Sequence, residues 1–116
     1  KDMSSTEAFV QLMSAVLPKE KIYPDVVPAE VQAPFAAYSE ETDPNETFDG
    51  NAGDSDTTVV TVAAHTKRAA RALAARIGEA VGGKVSDGYA FYFQGRKFVM
   101  YADERLSSYE LTFKIL

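Results

Sequence analysis

The stretch TTVVTVAA, residues 57–64, constrains this chain more than any other. It is β-branched and apolar at successive positions, so as a strand it offers apolar side chains on both of its faces. A strand of that kind belongs in the middle of a sheet. Beyond His65, TKRAARALAARIGEAVGG (66–83) changes to the period of a helix. Thr66 suits an N-cap and Gly82-Gly83 suit a helix end. Its inner stripe runs Ala70, Leu73, Ile77 and Val81, and the alanines beside that stripe allow a close approach to a sheet.

The remaining elements must supply that sheet's other strands and its cover. SSTEAFVQLMSAV (4–16) predicts a helix: Ser4 and Glu7 have capping-box spacing, and Phe9, Leu12, Met13 and Val16 form one stripe. Pro18 is expected to stop it. KIYPDVVPAEVQAP (21–34) holds three prolines and reads as an extended connector, and PFAAYSE after it reads as a short strand. Near the C-terminus, Tyr109, Leu111, Phe113 and Ile115 alternate with Glu110, Thr112 and Lys114, the period of a half-buried antiparallel strand. DERLSS reads as the turn before it, and Gly95 as a second turn or bend. The expected fold is α+β. Two helices pack on one mainly antiparallel sheet of four or five strands, in the order helix, strand, strand, helix, then two or three strands. The 116 residues suit one domain over 1–116 and leave no room for two.

Charge is segregated along the chain. SEETDPNETFDGNAGDSDTT (39–58) holds Glu40, Glu41, Asp43, Glu46, Asp49, Asp54 and Asp56 with no base among them. Residues 65–84 hold Lys67, Arg68, Arg71, Arg76 and Lys84 against Glu79 alone. A calcium loop is the sharpest reading of the acidic stretch, but the ligand spacing fails. Counting from Asp49 puts Asp54 where glycine belongs and Val60 where the closing glutamate belongs; counting from Asp43 puts Phe48 at the glycine position. A solvated, mobile acidic loop over about residues 42–56 is the preferred reading, with a cation-binding or other small interaction module on residues 40–56 as the alternative.

Enzyme chemistry finds little to work with. There is no cysteine, which removes thiolate catalysis and cysteine–zinc sites. His65 is the one histidine, at an expected strand-to-helix junction, where a capping or surface role is commoner than a catalytic one. The serines lie in cap and turn contexts, and the glycines of AVGGKVSDG follow a helix, whereas phosphate-cradling loops precede one. No catalytic, cofactor or metal residues are assigned, and an enzyme is the least favoured reading. The net charge of −5 argues against nucleic-acid recognition. No apolar run approaches the roughly 18–20 residues of a membrane span.

The succession of pieces resembles the small phage tail-completion proteins, also called tail terminator or tail-to-head joining proteins. The matching pieces are the N-terminal helix, KIYPDVVPAEVQAPFAAYS, a polar loop with DG, TTVVTVAAHT, KRAARALAARIGEAV and YADERLSSYELTFKI, nearly the whole chain. The resemblance implies a ring subunit, often of a hexamer, that caps the tail tube and joins tail to head. It implies a place in the virion tail, assembly in the bacterial host cytoplasm, and the tail tube, head-connector proteins and further copies of itself as partners. It carries neither cofactor nor catalytic residues. Head-to-tail association of identical subunits brings unlike patches together. The candidate subunit or tube contacts are therefore Lys67, Arg68 and Arg71 on one side and Glu46, Asp49, Asp54 and Asp56 on the other.

Overall fold

A computed structural model of the protein describes residues 3–42, 56–100 and 105–116. The elements run α1 (Ser5–Met13), β1 (Ile22–Pro24), β2 (Phe35–Thr42), β3 (Asp56–Ala64), α2 (Lys67–Val81), β4 (Val85–Ser86), β5 (Tyr89–Val99) and β6 (Ser107–Ile115). The fold is α+β, with six strands in one sheet ordered β1-β2-β3-β6-β5-β4. The sheet has six strands where four or five are expected, and the two shortest are the ones the sequence does not show. β1, three residues inside the expected connector, pairs in parallel with β2; β4, two residues, pairs with the start of β5. Neither is long enough to show a period of its own, and each exists only as a row of bonds to a longer neighbour. The other pairings are antiparallel.

β3 is interior, as its two apolar faces require. On one face Val60 and Val62 meet Leu111 and Tyr109 of β6, and this face carries both helices. α2 lays Ala70, Leu73, Ala74, Ile77 and Val81 onto it. Gly78 brings the helix close: a Cβ there would stand 3.8 Å from a Leu111 methyl carbon. α1 begins with the expected capping box, Ser4 and Glu7 each accepting from the other's backbone N–H. It ends at Met13, short of Pro18, and buries Ala8, Phe9 and Met13. Phe9 is the centre of its docking, with ring centroids 5.5 Å from Phe113, 5.8 Å from Phe91 and 6.5 Å from Tyr38. The chain before α1 is tied down as well: Met3 N–H donates to the Asp87 carboxylate at 2.6 Å, and the Tyr89 hydroxyl donates to the Met3 carbonyl at 3.1 Å.

On the second face Ala63 is fully buried, while Thr57, Val59 and Thr61 are half-buried. Its cover is the segment 25–34, which lies across one end and lines a groove of ≈ 520 Å³ with Phe35, Ala37, Thr61 and Leu106.

The last third departs from expectation at Gly95. No turn forms there; β5 runs unbroken for 11 residues, and its register with β6 slips between Phe93 and Gly95. Gln94 is the extra residue of a β-bulge. The bulge changes the parity of the strand. Phe91 and Phe93 face the helices, and beyond the bulge so do Arg96 and Phe98, opposite Leu111 and Tyr109. Without it Phe98 would face the other way. At the start of β5, Asp87 (φ 51°) and Gly88 (φ 84°) form the tight hairpin turn from β4, a position suited to Asp-Gly.

Candidate functional site

The basic residues singled out in the sequence lie together on α2. The Thr66 side chain accepts the Ala69 N–H at 3.0 Å and starts the helix at Lys67. Lys67, Arg68 and Arg71 are exposed within its first turn and a half, where the helix dipole opposes cations by a few tenths of a kcal/mol each. Among the described residues none of the three has a carboxylate within ion-pair distance. Lys67 instead places its ammonium 4.6 Å from the centroid of the Phe98 ring. Phe98 in turn stands edge-on to Tyr109 at 5.6 Å.

That contact leads to a residue the sequence did not single out. Arg96 shares the helix-side face of β5 with Phe93 and Phe98 and is exposed. Gly78 and Gly82 of α2 approach Phe93, and Lys67 approaches Phe98. The α2 row Lys67–Arg71–Gly78–Gly82 thus runs alongside the β5 row Phe98–Arg96–Phe93. The outcome is a cationic margin with aromatic rings set into it. Arg96 escapes a reading of the sequence because its side depends on the bulge at Gln94, which no local pattern announces.

Of the acidic candidates only Asp56 is among the described residues. Glu46, Asp49 and Asp54 fall within residues 43–55, outside the described residues. Asp56 is the first residue of β3, in register with Thr42 and Ile115. α2 starts beyond the last residue of that strand, so Asp56 and the start of α2 stand at opposite ends of β3, roughly 26 Å of extended chain apart.

A small acidic cleft opens at the other margin, between α1, β1 and β2. Asp25 and Glu40 line it with Tyr38, and the Thr6 hydroxyl donates to Glu40. Burial, then the Glu40 and Asp25 charges, push the Tyr38 phenol above its ordinary value. Among the described residues no group of three or more His, Asp or Glu is placed to hold a metal. His65 is exposed and borders a cavity of ≈ 350 Å³ whose described lining, from Pro34, Ala64, Ala69, Ala72, Leu73 and Arg76, carries no acid. No described helix is long and apolar enough to cross a membrane.

Neither a family model nor a curated protein matches the sequence. The fold does have a counterpart among solved structures. A chain in "Virion of native gene transfer agent (GTA) particle" superposes with a TM-score of 0.69 at 17% sequence identity, over 97% of this chain and 92% of that one. At that identity the likeness is one of fold, and it extends over nearly the full length of both chains.

Proposed function

We propose that this chain is a structural subunit of a phage-like virion, working at the tail as a ring subunit that caps the tail tube and joins tail to head. The observation that carries the reading is the shared fold with a chain of a gene transfer agent virion. A second feature supports it: the molecule carries a cationic margin with rings set into it and, among the described residues, no carboxylate paired to Lys67, Arg68, Arg71 or Arg96, which is material for a contact. In this reading the chain assigns no catalytic residue and needs no cofactor. Its partners are further copies of itself, the tail tube and head-connector proteins, and its place is the virion tail, assembled in the host cytoplasm. Lys67, Arg68, Arg71, Glu46, Asp49, Asp54 and Asp56 are the proposed contacts.

The test is assembly. Purified chain is added to tail tubes from a strain of the same phage or prophage lacking it, with heads supplied separately. The expected result is decoration of one tube end and recovery of joined particles in negative-stain images. Tubes that stay bare, and heads and tails that join equally well without the chain, refute the reading.

A further inference from the structure

The sheet ends in two unlike edges. At the β1 edge the outer strand is three residues long and closes on Pro24, which has no N–H to donate. At the other edge β4 covers only Tyr89 and Ala90, and Phe91 is bonded by Gly83 and Lys84. From Tyr92 to Val99 the outer side of β5 borders no strand among the described residues. The direction of its free groups follows from the ladder. Ala90 and Leu116 exchange both backbone bonds, at 3.0 and 2.9 Å, so Ala90 turns its N–H and C=O toward the β6 side. Alternation carries Tyr92 to the same side. Past the bulge, Gly95, Lys97 and Val99 face β6, and Phe93, Arg96 and Phe98 turn their N–H and C=O outward. Beside these open groups stand Tyr92, Phe93 and Phe98, 47%, 45% and 44% exposed, with Arg96 and Lys97 and no acid anywhere in β5. Lys97 leans on Glu110 at 3.6 Å, and Arg96 has no ion pair among the described residues.

An open edge with cations and exposed rings fits an extended acidic peptide. Backbone bonds would add it to the sheet, and its carboxylates would meet Arg96, Lys97, Lys67 and Arg71. The chain itself contains such a peptide between β2 and β3, residues 43–55, which hold Asp43, Glu46, Asp49 and Asp54 and no base. We propose that the outer edge of β5 is the seat for that stretch of a second copy of this chain, added as an extra strand. The proposal deepens the ring-subunit reading and rests on it for the partner.

Length favours the second copy over the same chain. Thirteen residues lie between Thr42 and Asp56, so a segment held at both ends reaches about 20 Å outward. To reach the outer side of β5 in its own chain it must cross three strand spacings from β3, about 14 Å, before any pairing begins. In a neighbour the whole excursion is available, against a free edge about 25 Å long. Charge also favours unlike over like. Two β5 edges laid together would set Arg96 and Lys97 of one copy against those of the other, so the contact is head-to-tail, the kind that closes into rings.

The experiment uses the full chain with a fluorescein-labelled peptide of residues 39–58, and a control peptide in which the acids are replaced by Asn and Gln. Fluorescence anisotropy at low salt is expected to show saturable binding of the acidic peptide, weakening as salt rises, and at least tenfold weaker binding of the control. Arg96→Glu is expected to weaken binding about tenfold. Arg96→Pro removes an outward N–H and no bond to β6, so the fold should persist by circular dichroism while binding is lost; Arg96→Ala separates the lost charge from the lost N–H. Hydrogen exchange should show new protection at Phe93, Arg96 and Phe98 and none at Lys97 or Val99. Binding that is equal for the control peptide, or equal in Arg96→Glu and Arg96→Pro, overturns the proposal. So does protection of β5 that is already complete and independent of chain concentration, the mark of the segment binding its own chain. Wild type and Arg96→Pro entering tails equally well sinks this inference and leaves the ring-subunit reading standing. Peptide binding by a chain that never enters tails does the reverse.

Discussion

Thr58 offers a test of the core in which the expected sign is opposite to that of most core substitutions. It sits on β3 facing the helices, in register with Phe113 on one side and Glu40 on the other, and is 1% exposed. Its hydroxyl has no hydrogen-bond partner among the described residues. In the unfolded chain that hydroxyl is hydrogen-bonded to water, so folding leaves it with a desolvation cost of about 1–3 kcal/mol. Valine has the same branched shape, exchanges the hydroxyl for a methyl group and keeps the χ1 stiffness that suits a strand. Thr58→Val should therefore stabilise the protein by about 1–2 kcal/mol. For a chain of 116 residues that is a rise in Tm of about 4–8 °C. Urea denaturation followed by circular dichroism should show a higher midpoint at an unchanged slope, since the surface exposed on unfolding hardly differs. Thr58→Ser supplies the contrast: it keeps the hydroxyl, deletes the methyl and should destabilise by about 1 kcal/mol through the space left behind. A Thr58→Val protein that is less stable than wild type by 0.5 kcal/mol or more, a threshold of roughly one ordinary measurement difference, refutes the reasoning. It would mean that the hydroxyl holds a buried water with partners of its own.

Phe9→Ala removes a fully buried ring and its contacts with Phe91, Phe113 and Tyr38. It should cost about 3–5 kcal/mol, read as a fall in the urea midpoint of roughly 2 M, and a loss under 1 kcal/mol would show that α1 is not docked by this residue. Tyr38 predicts a dependence at alkaline pH. Its folded pKa lies above the ordinary tyrosine value because of burial and the nearby Glu40 and Asp25 charges. The folded state therefore holds the phenolic proton more tightly than the unfolded state does. The associated stability is whole below the ordinary value of about 10 and is lost as pH rises from there through the folded pKa. Thermal melts between pH 9 and 11 should fall less steeply for Tyr38→Phe, and parallel slopes for the two proteins would contradict the assignment.

How far the fold can be read from the sequence depends on whether an element announces itself locally. α2 does: its stripe, its Thr66 cap and its closing glycines all lie within one stretch, and the helix spans Lys67–Val81 as that pattern asks. The capping box at Ser4 and the burial of Phe9 and Met13 are legible for the same reason. β3 is legible as interior, although only one face is core along its whole length; Ala63 on the other face is buried because Phe35 and the 25–34 segment reach that end alone. β1 is not legible, since three residues ending in proline become a strand only when β2 offers them a partner. Gly95 misleads more instructively. A glycine in a run of aromatics signals a turn locally, but the partner strand turns the same residue into part of a bulge, and the bulge decides which side Arg96 and Phe98 occupy. The cationic helix face was legible as charge, while its aromatic neighbours and the open edge beside it are properties of register.

The charges on β5 bear on why an edge this long is tolerable at all. An outer side of eight residues that borders no strand among the described residues, flanked by aromatic rings, would ordinarily invite indiscriminate pairing. Bulges and edge cations are among the devices that blunt such edges, and β5 has both, at Gln94 and at Arg96 and Lys97. A device that only blunted the edge would not need the rings, nor the further cations Lys67, Arg68 and Arg71 on the adjoining helix, which have no carboxylate partner among the described residues. The same cations repel a second β5 and attract an acid-rich strand, so one feature prevents the wrong contact and selects the right one. Ionic strength separates the two effects. At low salt, head-to-tail association through an acidic segment should dominate, with dimers and closed rings in sedimentation velocity. At about 1 M salt, where the screening length falls to ~3 Å, that association should weaken and β5-to-β5 pairing should lose its penalty. Expected there are symmetric dimers or aggregates that Arg96→Pro suppresses. Rings that persist unchanged at 1 M salt would show that the edge is held by apolar contact alone and that its charges select nothing.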